Sequence, residues 1–257
     1  MPEERVRPSA TEIYESVKRD AAEELARPIP ALAFSALFAG ATLGFGGLAA
    51  AAATSLAGGS SRAELVGALV YPIGFVATII GRAQLFTENT LYPLTLVLDE
   101  RKHFVATLRL WAVVLAANLV GAFAFAMLTV HSGALPHGTT DQLIQLGHQL
   151  SAGGWTSKLW SGVIAGWLLA LVAWTIEASD QAIGQIALIW ALTFLIGAAR
   201  LDHCVSTTSE VLSAVIDGSV TTGRFFDWLS AVLVGNVVGG VAIVALLNYG
   251  QVRAGED

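Results

Sequence analysis

Charge is scarce in this chain. Only 13% of its 257 residues are Asp, Glu, Lys or Arg, against roughly 25% in soluble domains, which excludes a water-facing globular surface for most of its length. Cysteine is nearly absent: Cys204 alone rules out an internal disulfide. Basic residues form no stripe, so no nucleic-acid partner is implied. The N-terminus lacks the basic-then-apolar pattern of a cleaved leader, so the first long apolar segment is expected to direct insertion itself. His131, His137, His148 and Asp141 have no compact metal-ligand spacing and read as solvated loop residues. No nucleophile–base set appears either, so neither an enzyme nor a cofactor is implied.

Apolar length is what the chain has in abundance. Hydrophobic residues make up 54% and mean hydropathy is +0.64. A membrane span needs about 20 mostly apolar residues, and six stretches meet or approach that: 30–54, 63–98, 104–130, 158–176, 184–216 and 226–249. The expected fold is an all-α membrane protein. Residues 1–28 form an N-terminal amphipathic segment, 29–250 the transmembrane domain and 251–257 a tail. Through Arg27 the first segment carries seven acids (Glu3, Glu4, Glu12, Glu15, Asp20, Glu23, Glu24) and five bases, so it contributes −2 of the formal charge of −6. Ser9 and Glu12 have capping-box spacing, and Ile13, Val17, Ala21 and Leu25 share one helical stripe. Such a helix is expected to anchor the first span at the interface, in preference to acting as a lid at the cytoplasmic mouth. With six spans, one side of the membrane holds nine bases (Arg5, Arg7, Lys18, Arg19, Arg27, Arg101, Lys102, Arg109, Arg253) and the other three (Arg62, Lys158, Arg224). Basic flanks stay inside, so both termini are expected to be cytoplasmic in an inner (plasma) membrane.

The second half also repeats the first. Ala117-Asn118-Leu119-Val120-Gly121 reappears as Gly235-Asn236-Val237-Val238-Gly239, and Arg82 falls on Arg200, Thr90 on Thr208, Asp99 on Asp217 and Gly44 on Gly162, an ungapped offset of 118. Each repeat (about 30–130 and 157–249) has three spans, an odd number, so the two are inverted relative to one another. In each, the middle span is broken by polar residues. Matching interruptions of this kind point to a solute site near the bilayer midplane. Gly40/Gly44, Gly162/Gly166 and Gly235/Gly239 allow close helix approach. Trp155, Trp160, Trp174 and Trp228 lie near span ends, where indoles favour the headgroup region. Residues 140–150 read as a short helix capping the outer vestibule.

The first break runs from Arg82 through Gln84, Leu85, Phe86, Thr87, Glu88 and Asn89 to Thr90. The second runs from Arg200 through Asp202, His203, Cys204, Val205, Ser206, Thr207 and Thr208 to Glu210. Each charge in mid-membrane costs about 2.5–3.5 kcal/mol on insertion scales, so these groups must face one another or water. Half-helices restart near Asn89 and Thr207, and their positive N-termini attract anions. Thr87, Thr207 and Thr208 add hydroxyl donors, while Leu85, Phe86, Leu91 and Val205 are placed to form apolar constrictions. His203, with an ordinary pKa of about 6.5, is expected to hand a proton to a weak-acid anion. Arg82 and Arg200 occupy equivalent places. They are expected either to supply fixed positive charge to the pathway or to be neutralised by Glu88, Asp202 or Glu210.

Leu85-Phe86-Thr87, Asn118-Leu119-Val120-Gly121, Asp202-His203 and Gly235-Asn236-Val237-Val238-Gly239, in that order, resemble the formate/nitrite transporter family from about Pro28 to Asn248. The string Gln84-Leu85-Phe86-Thr87-Glu88-Asn89-Thr90 followed by Arg109-Leu110-Trp111 is similar to a less characterised branch of it. The resemblance implies a homopentamer of aquaporin-like six-helix protomers, each with its own pore for small monovalent anions such as formate, nitrite or hydrosulfide. It implies roles for Thr87 as pore threonine, His203 as central histidine and Asn236 as sixth-span asparagine. The family's fourth-span lysine and asparagine fall near Leu150 and at Gly166 by ungapped matching, with Lys158 about two turns out of register. Glu88, Glu210 and Arg200 are additions to that pattern. Two other readings stay open: a non-conducting pentameric scaffold sealed by Arg–carboxylate pairs, and a pathway for a neutral solute or cation.

Overall fold

The computed structural model describes residues 8–58, 60–100 and 102–255. Glu3, Glu4, Arg5, Arg7 and Arg101 fall outside these. Among the described residues every regular element is helical. Helix α1 (Ala10–Ala26) starts on the expected capping box, with Ser9 and Glu12 bonded reciprocally. The two Ser9 hydrogen bonds lower the pKa of the Glu12 carboxyl. The long spans are α2 (Ile29–Leu56), α6 (Phe104–His131) and α8 (Trp155–Ile176). A fourth, α11 (Thr222–Val238), continues through a π-helical turn, Gly239–Ala245, into α12 (Leu246–Ala254). The second span is α3 (Ser61–Val70) and α4 (Ile73–Ile80), parted at Pro72, which has no N–H to continue the ladder. After the first break the chain resumes with a 3-10 turn, Glu88–Thr90, and α5 (Tyr92–Glu100). In the second half α9 (Ala182–Ala198) precedes the break and α10 (Thr208–Asp217) follows it. The connection between the halves carries α7 (His137–Ser151), longer than the expected 140–150 helix.

The two halves are inverted three-span repeats. Both arginines that open the breaks adopt the left-handed backbone conformation, with φ of 51° at Arg82 and 50° at Arg200, and the flanking backbone bonds match pair for pair. Ala83 and Arg82 donate to the carbonyls of Thr78 and Ile79, as Leu201 and Arg200 do to those of Ile196 and Gly197. The offset of 118 therefore holds for the second and third spans of each half. It does not hold for the first spans. A Cβ on Gly40 would strike the Asn118 backbone, and one on Gly166 would strike that of Asn236. Gly121 likewise abuts Leu37 and Ala41, where Gly239 abuts Val163 and Trp167. Helix α8 thus corresponds to α2 at an offset of 126, so Gly166 is the mate of Gly40, and Gly162 is the mate of Ala36, not of Gly44. The second repeat reaches its break from that glycine in two fewer helical turns.

Packing also relocates two tryptophans. Trp155 and Trp160 are exposed on the outer surface, but Trp228 is fully buried and Trp174 nearly so. Position near a span end therefore does not place either ring in the headgroup belt.

Candidate functional site

Each break is tied to the neighbouring spans by one asparagine. Asn118 Oδ1 accepts from the Phe86 N–H at 3.0 Å, and its Nδ2 donates to the carbonyls of Ala36 and Gln84. Asn236 repeats this on Cys204 N–H at 2.8 Å and on the carbonyls of Gly162 and Asp202. Backbone at membrane depth must find such partners inside the protein, and these amides satisfy three groups each. Ser35 and Ser161 add matching bonds to the N–H groups of Gln84 and Asp202.

The latched breaks meet at one contact, Thr87 Oγ1 to His203 Nε2, 2.8 Å apart and fully buried. The backbone N–H groups of Val205 and Ser206 both point at His203 Nδ1, at 3.2 and 3.0 Å. An N–H can only donate, so Nδ1 is an acceptor and the ring proton sits on Nε2, donated to Thr87. The ring has no free basic nitrogen in this arrangement. Phe75 packs edge-on against the imidazole, with centroids 5.5 Å apart. The expected donors Thr207 and Thr208 are not available: Thr207 Oγ1 donates to His203 O and accepts its N–H, and Thr208 Oγ1 donates to Cys204 O. Hydroxyls at a break can serve backbone or solute equally well, and here the backbone takes both. Of the three only Thr87 keeps its proton uncommitted.

Two cavities approach this contact from opposite ends of α8. One, about 590 Å³, is roofed by α7 through Gln142, Gln145 and Gln149, and reaches Thr207 and Glu210. The other, about 420 Å³, is roofed by α1 and reaches Leu85, Glu88 and Asn89. Helix α1 is therefore a mouth element, not solely an anchor. Its apolar stripe is buried as expected, and Tyr14 joins it. Its polar side supplies Asp20, Glu23, Glu24 and Arg27 to the cavity. Burial raises the pKa of the Asp20, Glu24 and Glu177 carboxyls above the usual range, opposed by Arg82 at Asp20 and Glu177 and by Arg27 at Glu24.

The formate/nitrite transporter profile matches residues 11–250 of the chain. It belongs to that family. Inner membrane protein YfdC of Escherichia coli strain K12 is 31% identical over 98% of this chain and 81% of its own length. A probable formate transporter of Methanothermobacter thermautotrophicus is 32% identical over 86% of this chain and 89% of its own. Among solved structures, an FNT family ion channel superimposes with a TM-score of 0.85 at 19% identity, covering 94% of this chain and 99% of its own. A pentameric formate channel with formate bound gives 0.74 at 15%, covering 92% and 99%. These likenesses establish the aquaporin-like fold and a membrane location for this member of the family.

Lys158 is placed differently from the sequence expectation. In the first turn of α8 it is almost buried, and its Nζ lies 3.1 Å from Asp202 Oδ2, whose other oxygen accepts from Trp228 Nε1 at 2.8 Å. It lines the α7-side cavity beside the second break, so a lysine does stand at that cavity. The ungapped offset hid it. Neither break arginine pairs with Glu88, Asp202 or Glu210. Arg200 is exposed, bonded to Glu64 at 2.7 Å and to Gln149 at 3.0 Å. Arg82 is exposed at the α1-side mouth. Glu210 is buried, accepting from Ser209 Oγ at 3.0 Å. Leu85, Phe86, Leu91 and Val205 are buried as expected, with Phe86 packed edge-on against Trp111. Asn89 donates to Gln84 Oε1. Sequence reasoning missed Phe75, Trp228 and Tyr71, whose hydroxyl meets Ser206. Phe75 and Tyr71 read as plain apolar filler within their spans, and Trp228 read as a headgroup-belt indole.

Proposed function

We propose that this protein passes small monovalent weak-acid anions, such as formate, nitrite or hydrosulfide, together with a proton. It does so across the inner membrane as a homopentamer with both termini cytoplasmic. The observation that carries the reading is the buried Thr87–His203 contact between two cavities. It presents one uncommitted hydroxyl proton and one N–H donor at a dry constriction, with Lys158 beside the α7-side approach. A small oxyanion or its conjugate acid needs such donors to replace its lost water. The family membership, and the formate named for a structural neighbour and a relative, support the solute class.

A second reading, a neutral-solute or cation pathway, is favoured by the α1-side cavity alone, where Asp20, Glu23, Glu24, Glu88 and Glu177 face only Arg27 and Arg82. The scaffold reading loses its motive, because the break carboxylates are not sealed by arginines. Flux in proteoliposomes loaded separately with formate, nitrite, hydrosulfide, acetate and potassium decides among these. Anion flux that Thr87→Val reduces at least about tenfold supports the proposal, as expected when one hydrogen bond worth about 1.5 kcal/mol is lost at the constriction. Potassium flux without anion flux overturns it.

A further inference from the structure

Glu88 immediately follows Thr87, is 8% exposed, and reaches into the α1-side cavity. Among the described residues its carboxyl has neither a hydrogen-bond donor nor an ion-pair partner. That is unusual for a carboxyl at membrane depth: a buried charge is paired or it is neutralised. The groups facing it make pairing harder. Helix α1 contributes Asp20, Glu23, Glu24 and Arg27. Arg82 comes from the break, Tyr92 from α5 and Glu177 from the end of α8. Both arginines have other carboxylates to serve. Arg27 binds Glu24 at 3.1 Å, and the field of Arg82 falls on Asp20 and Glu177. The carboxylates nearest in effect to Glu88, Glu24 and Glu177, repel it. No group of three acids, histidines or cysteines is arranged to hold a metal ion among the described residues. The neutralising ion at hand is the proton. His203 cannot be its carrier without giving up the two N–H bonds at Nδ1.

Resting on the anion-pathway reading above, we propose that Glu88 is the group that donates the accompanying proton to the anion on the α1 side of the Thr87–His203 contact. In the step the Glu88 O–H bond breaks, and an O–H bond forms on formate or nitrite, or an S–H bond on hydrosulfide. The products are a carboxylate and the neutral conjugate acid. The neutral acid crosses the constriction, and the carboxylate regains its proton from water in the α1-side cavity. No electrons change hands. An acid-rich mouth is then no barrier to anions, because the solute sheds its charge at the last polar residue before the constriction.

The test uses the full-length pentamer, wild type against Glu88→Gln and Glu88→Asp. Formate flux is followed with internal pH from mildly acidic to neutral conditions, and the protonated-carboxyl stretch is followed by infrared difference spectroscopy on adding formate. Positioned proton donors contribute about 10²–10⁴-fold to proton transfer. Glu88→Gln is therefore expected to lower flux roughly tenfold or more and to flatten its pH profile. The carboxyl band should respond to formate in wild type and Glu88→Asp and be missing in Glu88→Gln. A wild-type pH profile in Glu88→Gln overturns the proposal while leaving anion transport standing. So does the absence of a formate-sensitive carboxyl band from wild type, which reads out even where Glu88→Gln fails to assemble. Wild-type protein that passes no anion overturns the transport reading and the proposal together.

Discussion

At the scale of single residues, the breaks are held by groups with no alternative partner. Asn236→Ala strands the Cys204 N–H and removes a donor from the carbonyls of Gly162 and Asp202. Each stranded buried group costs about 1–3 kcal/mol. The variant should therefore show a clearly lower thermal midpoint in detergent, and Asn118→Ala a similar loss, since its bonds are the same three in kind. An unchanged midpoint in both would show that the breaks are held by packing alone. Lys158 offers a sharper case. With side-chain exposures of 11% and 1%, the Lys158–Asp202 pair is close to fully buried, and removing one partner of such a pair costs about 3–5 kcal/mol. Lys158→Met should destabilise strongly, and adding Asp202→Asn should recover much of that loss. If the double variant is no more stable than Lys158→Met, the pair is not what the lysine stabilises. Thr87 and His203 were legible in sequence because polar groups at membrane depth must face one another. The uses of Thr207 and Thr208 were not legible, because a hydroxyl's partner depends on backbone direction within the break.

At the scale of elements, α1 shows what an amphipathic pattern leaves open. The stripe Ile13, Val17, Ala21 and Leu25 specifies that one face is covered, but lipid and protein cover it equally well. Here the cover is protein. Tyr14 donates to the Thr95 carbonyl, Ser16 to Glu177 at 2.7 Å, and Lys18 pairs with Asp99 at 2.7 Å. Arg109 donates to the carbonyl of Leu25. Docking buries Asp20, Glu24 and Glu177, and burial raises their pKa values. A carboxyl whose pKa is raised in the docked state binds protons more tightly there than when released. Its contribution to docking is therefore complete below the ordinary carboxylate range, near 4, and is lost as pH rises through the raised value. Hydrogen exchange along α1, corrected for the intrinsic rate, should accordingly be slowest in mild acid and quicken toward neutrality. Asp20→Asn with Glu24→Gln should flatten that trend. Exchange protection that grows with pH would contradict the burial argument.

At the scale of the whole molecule, two inverted halves were visible because the break and the asparagine span recur at one spacing. The first spans slipped by two turns because small residues recur every three or four positions along both α2 and α8, so Gly44 on Gly162 looked as good as Gly40 on Gly166. Only the backbone approach to Asn118 and Asn236 separates the two registers, and that approach is a contact, not a pattern. The inverted arrangement has a consequence for sidedness. Lys18 binds Asp99, and Arg253 binds the same carboxylate, so α1, the end of α5 and the end of α12 share one face of the molecule. Glu64 of α3 lies at the opposite cavity, beside α7 and Arg200. The basic bias read from the sequence, nine residues against three, predicts that the α1 face is cytoplasmic. Single cysteines introduced beside Arg62 and beside Lys102 test this with an impermeant thiol reagent, and the native Cys204 is fully buried, so the background is low. The site beside Arg62 should label from outside intact cells and the site beside Lys102 only after the membrane is opened. Labelling of both from one side would break the inverted topology, and the two patterns exchanged would keep the fold but reverse its orientation, placing the acidic α1-side cavity outside the cell.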